Sequence, residues 1–288
     1  MEEKLKALAK KLYGEKPELE KLPSEHNQVY RIELGGETKI AKISPEEGEW
    51  KLDKEVYLLE KLSNTEIPVP EIEYQDLEGK RLGNHFYIME DLGKKNLEGI
   101  EENREELLEE AGRILAKVHS IEYNKQGTIL YKDIERESFI DYAERIVKNN
   151  LEKLEGKLTD KETEKARKIL EKIPEDSERR LCHNDFGLWQ VMVDDGEISG
   201  IIDWEYAMSL STSYDLAKAE VSTNIFSEGF ESIIRGYKRK RNLPENYKNH
   251  KNVLKLIPAL ELMGFFKNQE ENYQKAKKVF DKVVEPKV

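Results

Sequence analysis

The sequence predicts an α+β fold in two lobes, a small β-rich N-terminal lobe and a larger, mostly helical C-terminal lobe. Three observations predict it. Up to about residue 92 the apolar residues largely alternate with polar ones between glycine turns, the period of half-buried strands. Beyond it they recur at intervals of three and four, the period of amphipathic helices. Glu90-Asp91-Leu92-Gly93 stands between the two patterns, and its glycine marks the natural break. The expected domains are therefore residues 1–92 and residues 93–288.

In chain order, residues 1–13 place Leu5, Leu8 and Leu12 on one helical stripe among lysines, an amphipathic helix expected to pack on the sheet that follows. Val29-Tyr30-Arg31-Ile32-Glu33-Leu34 alternates and runs into Gly35-Gly36, a hairpin turn, and residues 38–43 form the returning strand. Pro45 and Gly48 interrupt the chain before a helix over 50–62, whose apolar side carries Leu52, Val56, Leu59 and Leu62. Residues 72–74 and 86–89 are the remaining strands of this lobe.

After Gly93, residues 104–120 have a helical period through Leu107, Leu108, Ala111, Leu115 and Val118. Residues 139–154 and 161–173 read as charged helices, and the chain from about Tyr214 onward is helical again. The one β segment expected in this half is residues 191–202, a hairpin turning at Asp195-Gly196.

Composition excludes several classes. A net charge of −11, from 48 basic and 59 acidic side chains, opposes a general nucleic-acid binder, which needs a basic surface to displace counterions. Cys182 is the only cysteine, so a disulfide framework and a cysteine-based zinc site are both out, and a reduced, cytoplasmic setting is expected. No apolar stretch is long enough for a signal peptide or a membrane span. His26, His85 and His250 show no metal-ligand spacing, and His119 reads as a helix-end residue.

The chemistry concentrates in His183-Asn184-Asp185-Phe186-Gly187-Leu188-Trp189-Gln190 and, past the hairpin, Ile201-Ile202-Asp203-Trp204-Glu205. Asp185 lies in a loop before an apolar strand, where a carboxylate can accept or orient the proton of a hydroxyl while a phosphoryl group moves. Asp203 ends an apolar strand. A carboxylate at such an edge costs desolvation unless it is paired or binds a cation, and magnesium on nucleotide phosphates satisfies it. The competing structural readings are an Asx turn for Asp185 and a salt bridge for Asp203.

A second pair supports the first. Glu55 shares the apolar face of its helix with Leu52, Val56 and Leu59, so it points toward the core and invites a buried cation. Lys42, on the same strand face as Ile40, supplies one, with Lys39 as the rival. In phosphoryl transfer such a pair fixes the lysine against the α- and β-phosphates.

Taken in order, Asn27-Gln28-Val29-Tyr30-Arg31-Ile32, the Lys42 strand, the Glu55 helix, His183-x-Asp185, Ile202-Asp203-Trp204-Glu205 and Tyr214-Asp215-Leu216-Ala217 resemble the aminoglycoside phosphotransferases and choline kinases over nearly the whole chain. The resemblance implies a protein-kinase-like fold and transfer of a phosphoryl group from ATP or GTP, with Mg2+, to a hydroxyl of a small, in some cases cationic, molecule. It also implies roles. Ser24 to Asn27 corresponds to the phosphate-covering loop, and Met89, Glu90, Asp91 and Leu92 to the hinge against the purine. His183 orients the catalytic loop and Asp215 braces it through hydrogen bonds.

The chain departs from the pattern in three places. No glycine lies between Leu22 and Leu34, Gln190 stands where a metal-binding Asn is expected, and Ser211-Thr212-Ser213 replaces a Gly-Asp-Pro. The Gln190 oxygen can still ligate magnesium, one methylene displaced. Two alternatives follow. One is a choline- or ethanolamine-type kinase, for which Tyr206, Phe226, Phe230, Tyr237, Phe265 and Phe266 offer aromatic rings. The other is a catalytically silent nucleotide-binding module.

Overall fold

The computed structural model describes residues 1–45 and 47–285. The chain begins with helix α1 (Glu2–Tyr13) and strands β1 (Glu18–Leu22), β2 (Gln28–Leu34) and β3 (Glu37–Ile43). Helix α2 (Glu49–Leu62) leads to β4 (Ile72–Asp76), β5 (Phe86–Glu90) and β6 (Lys95–Asn96). Helix α3 (Arg104–Val118), strands β7 (Gly127–Ile129) and β8 (Ile134–Arg136), and helices α4 (Phe139–Lys153) and α5 (Asp160–Leu170) follow. Then come β9 (Arg180–Cys182), β10 (Val191–Asp194), β11 (Glu197–Ile201) and β12 (Met208–Leu210). The chain closes with α6 (Thr212–Phe226), α7 (Phe230–Lys238), α8 (Glu245–Leu254), α9 (Leu256–Phe265) and α10 (Glu270–Val284).

These elements form two compact units. One holds Met1–Asn96, Leu130–Asp133 and Gln190–Tyr206; the other holds Leu97–Ile129, Ile134–Trp189 and the chain from Ala207 onward. The β10–β11 hairpin therefore belongs with the N-terminal unit although it follows in sequence by about a hundred residues.

In the first unit an antiparallel sheet runs β1-β2-β3-β5-β4. Its pleat sorts the side chains. Tyr30, Ile32 and Leu34 of β2, Ala41 and Ile43 of β3, and Phe86 and Ile88 of β5 face α1, where Leu5, Leu8 and Ala9 complete an apolar cluster. Leu12, expected on the same stripe, is exposed, because the helix ends one residue later and Gly14 turns the chain away in a left-handed conformation. The residues between them, Lys42 and Ile40 of β3 with Tyr87 and Met89 of β5, lie on the opposite face in register. A second sheet, β11-β10-β6, contains the expected hairpin, with φ of 47° at Asp195 and 80° at Gly196. Two successive positive φ values are what a tight two-residue hairpin turn needs.

In the second unit, α3 and α7 touch backbone to backbone. A Cβ at Gly112 would lie 2.0 Å from the Ile233 carbonyl oxygen, and one at Gly236 1.8 Å from that of Glu109, so both positions require glycine. Ion pairs from Arg235 and Arg239 to Glu109 flank this seam. Helix α6 is buried along most of its length. A four-stranded sheet, β8-β7-β12-β9, was not expected, since only residues 191–202 read as β after Gly93. Its strands have three residues each, and β6 has two, too few to show an alternation in sequence. They exist because pairing across the fold satisfies their backbone groups. Among the described residues, no helix is long and apolar enough to cross a membrane.

Candidate active site

In the first unit, Lys42 and Glu55 meet as their faces require. The Lys42 ammonium lies 2.7 Å from Glu55 Oε2 and 2.8 Å from Asp203 Oδ1, with Glu205 Oε2 at 3.7 Å. Lys39 has the opposite pleat parity and pairs with Glu73 at 2.5 Å, so it takes no part. Burial alone would lower the Lys42 pKa, but Asp203, Glu55 and Glu205 outweigh it and hold the amine well above its ordinary value. Glu55 is pushed up by burial against the pull of Lys42.

Glu55 has a second task. Its other oxygen accepts the Trp204 N–H at 3.1 Å, fixing the backbone just after Asp203. Asp203 itself has φ of 67°, a left-handed conformation rare outside glycine, which the Glu55 bond and the buried Trp204 ring hold in place. Gln190 is its neighbour across the base of the hairpin, where the Ile202 N–H donates to the Gln190 carbonyl at 3.0 Å. Asn27 Nδ2 donates to Glu205 Oε2 at 2.8 Å, tying the loop before β2 to the same group of acids. In the sequence Glu205 closes the Ile202-Asp203-Trp204-Glu205 motif and carries no role of its own. Its spacing of two from Asp203 across a single turn of 3-10 helix was the available signal.

The hinge candidates Met89, Glu90, Asp91 and Leu92 differ. Met89 is buried on the Lys42 face of the sheet, Glu90 is exposed, and Asp91 is a structural fixture. Asp91 accepts from Arg31 Nε at 2.6 Å and from the Gly93 N–H at 3.1 Å. Ser199 Oγ donates to the Leu92 carbonyl at 2.7 Å, so the segment is held from the hairpin as well.

In the second unit, His183, Asn184 and Asp185 follow β9 directly. Asp215, in the first turn of α6, accepts the backbone N–H of His183 at 3.0 Å and of Asn184 at 2.8 Å. Asn184 has φ of 60°, so the loop turns sharply there and leaves the Asp185 side chain partly exposed. His183 is fully buried and meets Phe186 edge to face. Ser211 explains one departure in the sequence: it caps α6, its Oγ accepting the Tyr214 N–H, so the helix carrying Asp215 starts without a Gly-Asp-Pro.

His119 is the residue the sequence did not reveal. It ends α3 as expected, yet it is fully buried, with Nε2 2.9 Å from Asp215 Oδ2 and Nδ1 3.0 Å from the Tyr237 hydroxyl. Burial would raise the Asp215 pKa, but His119, His183 and the Asn184 N–H lower it below the ordinary carboxylate value. An ionised Asp215 only accepts, which makes His119 Nε2 the donor. Cys182 completes a buried trio with His119 and Asp215 that has the spacing of a metal site. Burial, however, drives the Cys182 thiol well above its ordinary pKa, and Asp215 already serves three donors, so the trio is structural.

A family model described as the phosphotransferase enzyme family, APH, matches residues 18–249. Among solved structures, a thermostable mutant of the aminoglycoside phosphotransferase APH(4)-Ia in ternary complex with AMP-PNP and hygromycin B is similar at a TM-score of 0.75 and 17% identity, with 97% of each chain covered. The apo form of such a mutant gives 0.74 and 17%, covering 97% of this chain and 98% of that one. A macrolide 2'-phosphotransferase type I gives 0.67 and 17%, covering 96% and 95%. No match was found among curated protein sequences. The likeness bears out the expected protein-kinase-like α+β fold, with its antiparallel sheet in the N-terminal part and helices in the C-terminal part. With four fifths of its length matched by the family model, the chain belongs to the phosphotransferase enzyme family.

Proposed function

We propose that this phosphotransferase moves the terminal phosphoryl group of ATP or GTP, with magnesium, to a hydroxyl of a small molecule in the cytoplasm. The observation that carries the reading is the triple engagement of Lys42 by Glu55, Asp203 and Glu205 in a chain of this family. Glu55 orients the lysine, which in this reading turns toward the α- and β-phosphates. Asn27, hydrogen-bonded to Glu205, sets the loop expected to cover them.

Magnesium fits the donors present. Asp203, Glu205 and Gln190 offer carboxylate and amide oxygens, the hard ligands it prefers, and Glu55, Asp203 and Glu205 bring oxygens within 4.8 Å of one another. Their surplus of negative charge over Lys42 is what a divalent cation would offset. When bound, it would neutralise charge on the phosphates.

Asp185 has the proton work. The acceptor oxygen attacks the γ-phosphorus, its bond to phosphorus forms as the bond to the diphosphate breaks, and its proton passes to the Asp185 carboxylate. Asp215 and His183 hold the Asp185 loop through the two backbone bonds described above.

The choline-type alternative draws less support. The Lys51 ammonium already covers the Tyr206 ring at 4.6 Å, and Phe226, Phe265 and Phe266 pack on one another, leaving fewer faces for a quaternary ammonium. A panel of hydroxylated and cationic metabolites, scored for triphosphate consumption, tests the proposal. Wild type should consume nucleotide with at least one acceptor, and Asp185→Ala should lose about 10²–10⁴-fold of that rate. Unchanged turnover in Asp185→Ala would overturn the assignment.

A further inference from the structure

Helices α3 and α7 meet at their glycine seam closely enough to aim a side chain. A Cβ at Gly112 would come within 2.9 Å of the Tyr237 backbone nitrogen, so α7 lies directly on α3 at that point. His119 stands two turns, about 10 Å, further along α3. The Tyr237 and His119 rings meet edge to face at 5.5 Å, and both residues are fully buried. The Tyr237 hydroxyl lies 3.0 Å from His119 Nδ1, and His119 Nε2 lies 2.9 Å from Asp215 Oδ2. That same oxygen accepts the His183 N–H at 3.0 Å, while the Asn184 N–H goes to Oδ1 at 2.8 Å. An unbroken line of hydrogen bonds therefore runs from α7 to the two residues before Asp185.

The hydrogens on this line follow from its two ends. Burial keeps the Tyr237 hydroxyl protonated, so it has one hydrogen to give, and Nδ1 is the acceptor it meets. Asp215 only accepts, so Nε2 carries the ring hydrogen. His119 is thus neutral with its lone pair on Nδ1, and the other tautomer would set a lone pair against the Asp215 carboxylate. We propose that Tyr237 is a positioning residue for the catalytic loop: by donating to Nδ1 it keeps the His119 ring neutral, and so leaves Asp215 Oδ2 its hold on the His183 N–H. This rests on the reading of the Asp185 loop as the catalytic one. Without the Tyr237 hydrogen, Nδ1 is a buried acceptor with no donor, and a proton taken up there would turn His119 into a cation on Asp215. A cation draws Oδ2 to itself and away from the neutral N–H group that shares it. The other titratable groups around these rings are the Cys182 thiol of β9, which burial keeps protonated, and Arg241 after α7, which pairs with Glu178 at 3.4 Å.

The experiment is nitrogen-15 NMR of the ligand-free protein labelled at histidine, with the His119 ring signals assigned by their loss in His119→Gln. In wild type at neutral pH, one His119 nitrogen should be of the lone-pair type and one of the N–H type. In Tyr237→Phe both should be of the N–H type. The His183 amide should then exchange with solvent about tenfold faster, the effect of losing one hydrogen bond, while Asn184, held by Oδ1, changes less. A tyrosine that only filled space would leave the ring nitrogens as they are. Two N–H nitrogens already present in wild type, or unchanged ring nitrogens in Tyr237→Phe, overturn the proposal. Should Tyr237→Phe not fold, wild type decides alone: the Tyr237 hydroxyl proton should couple across its hydrogen bond to Nδ1, and no such coupling counts against. Because the readout is a ring nitrogen and not turnover, it stands apart from the kinase reading, which fails separately if Asp185→Ala still transfers phosphate.

Discussion

Around Lys42, one ammonium is shared by three carboxylates, those of Glu55, Asp203 and Glu205. Around Asp215, one carboxylate is met by three donors, the N–H groups of His183 and Asn184 and the His119 ring. The two regions invert each other. The second is complete as it stands, because each buried group has its partner and the charge is spread over hydrogen bonds. The first holds like charges together in a partly buried place, which the fold would not favour for its own stability. The difference separates a brace that takes its energy from the folded chain from a Lys42 cluster that, in the function proposed above, takes it from a cation and phosphates.

The largest expected effect breaks the brace. Asp215→Ala strands three buried donors, and at about 1–3 kcal/mol for each unsatisfied group it should cost on the order of 3 kcal/mol or more, read by urea unfolding. The pH dependence has a definite sign. The Asp215 pKa is lowered in the folded state, so its contribution is fully present above the ordinary value of 3.8 and is lost as pH falls through the depressed folded value. The gap between wild type and Asp215→Ala should therefore be constant near neutrality and narrow only on acidification below 3.8. A gap that closes between pH 5 and 7 would contradict the brace.

The same kind of change in the other region should act the other way. Glu205→Gln removes one of the crowded carboxylates yet keeps an oxygen for Asn27, so the ligand-free protein should gain about 1 kcal/mol while its affinity for magnesium–nucleotide falls. Thermal unfolding with and without magnesium–ATP separates these effects. A loss of stability without ligand would mean that Glu205 is a structural acid like Asp215. Smallest of all is Gln190→Asn. It shortens a donor back to the length that the family pattern expects, and magnesium-dependent turnover should hold or rise by a few-fold. A clear fall would mean that the longer side chain has a geometry of its own.

What the sequence revealed follows from how local each signal is. Lys42 and Glu55 were legible because pleat and helix periods assign a face to every residue, and the same parity separates Lys42, opposite Ala41 and Ile43, from Lys39. The β10–β11 hairpin announced itself through Asp195-Gly196. His119 did not, because its partner Asp215 lies 96 residues away and no local pattern distinguishes a helix-end histidine from a buried one. The strands β7, β8, β9 and β12 exist only through tertiary pairing, so they left no period to read.

The most direct test of the central claim is thermal unfolding with magnesium–ATP and magnesium–GTP in wild type, Asp185→Ala and Asp203→Ala. Wild type and Asp185→Ala should each gain several degrees with at least one nucleotide, since saturating ligand at about 100 times its Kd adds about 2.7 kcal/mol, and Asp203→Ala should gain none. No gain in wild type with either nucleotide, or an equal gain in Asp203→Ala, would contradict it.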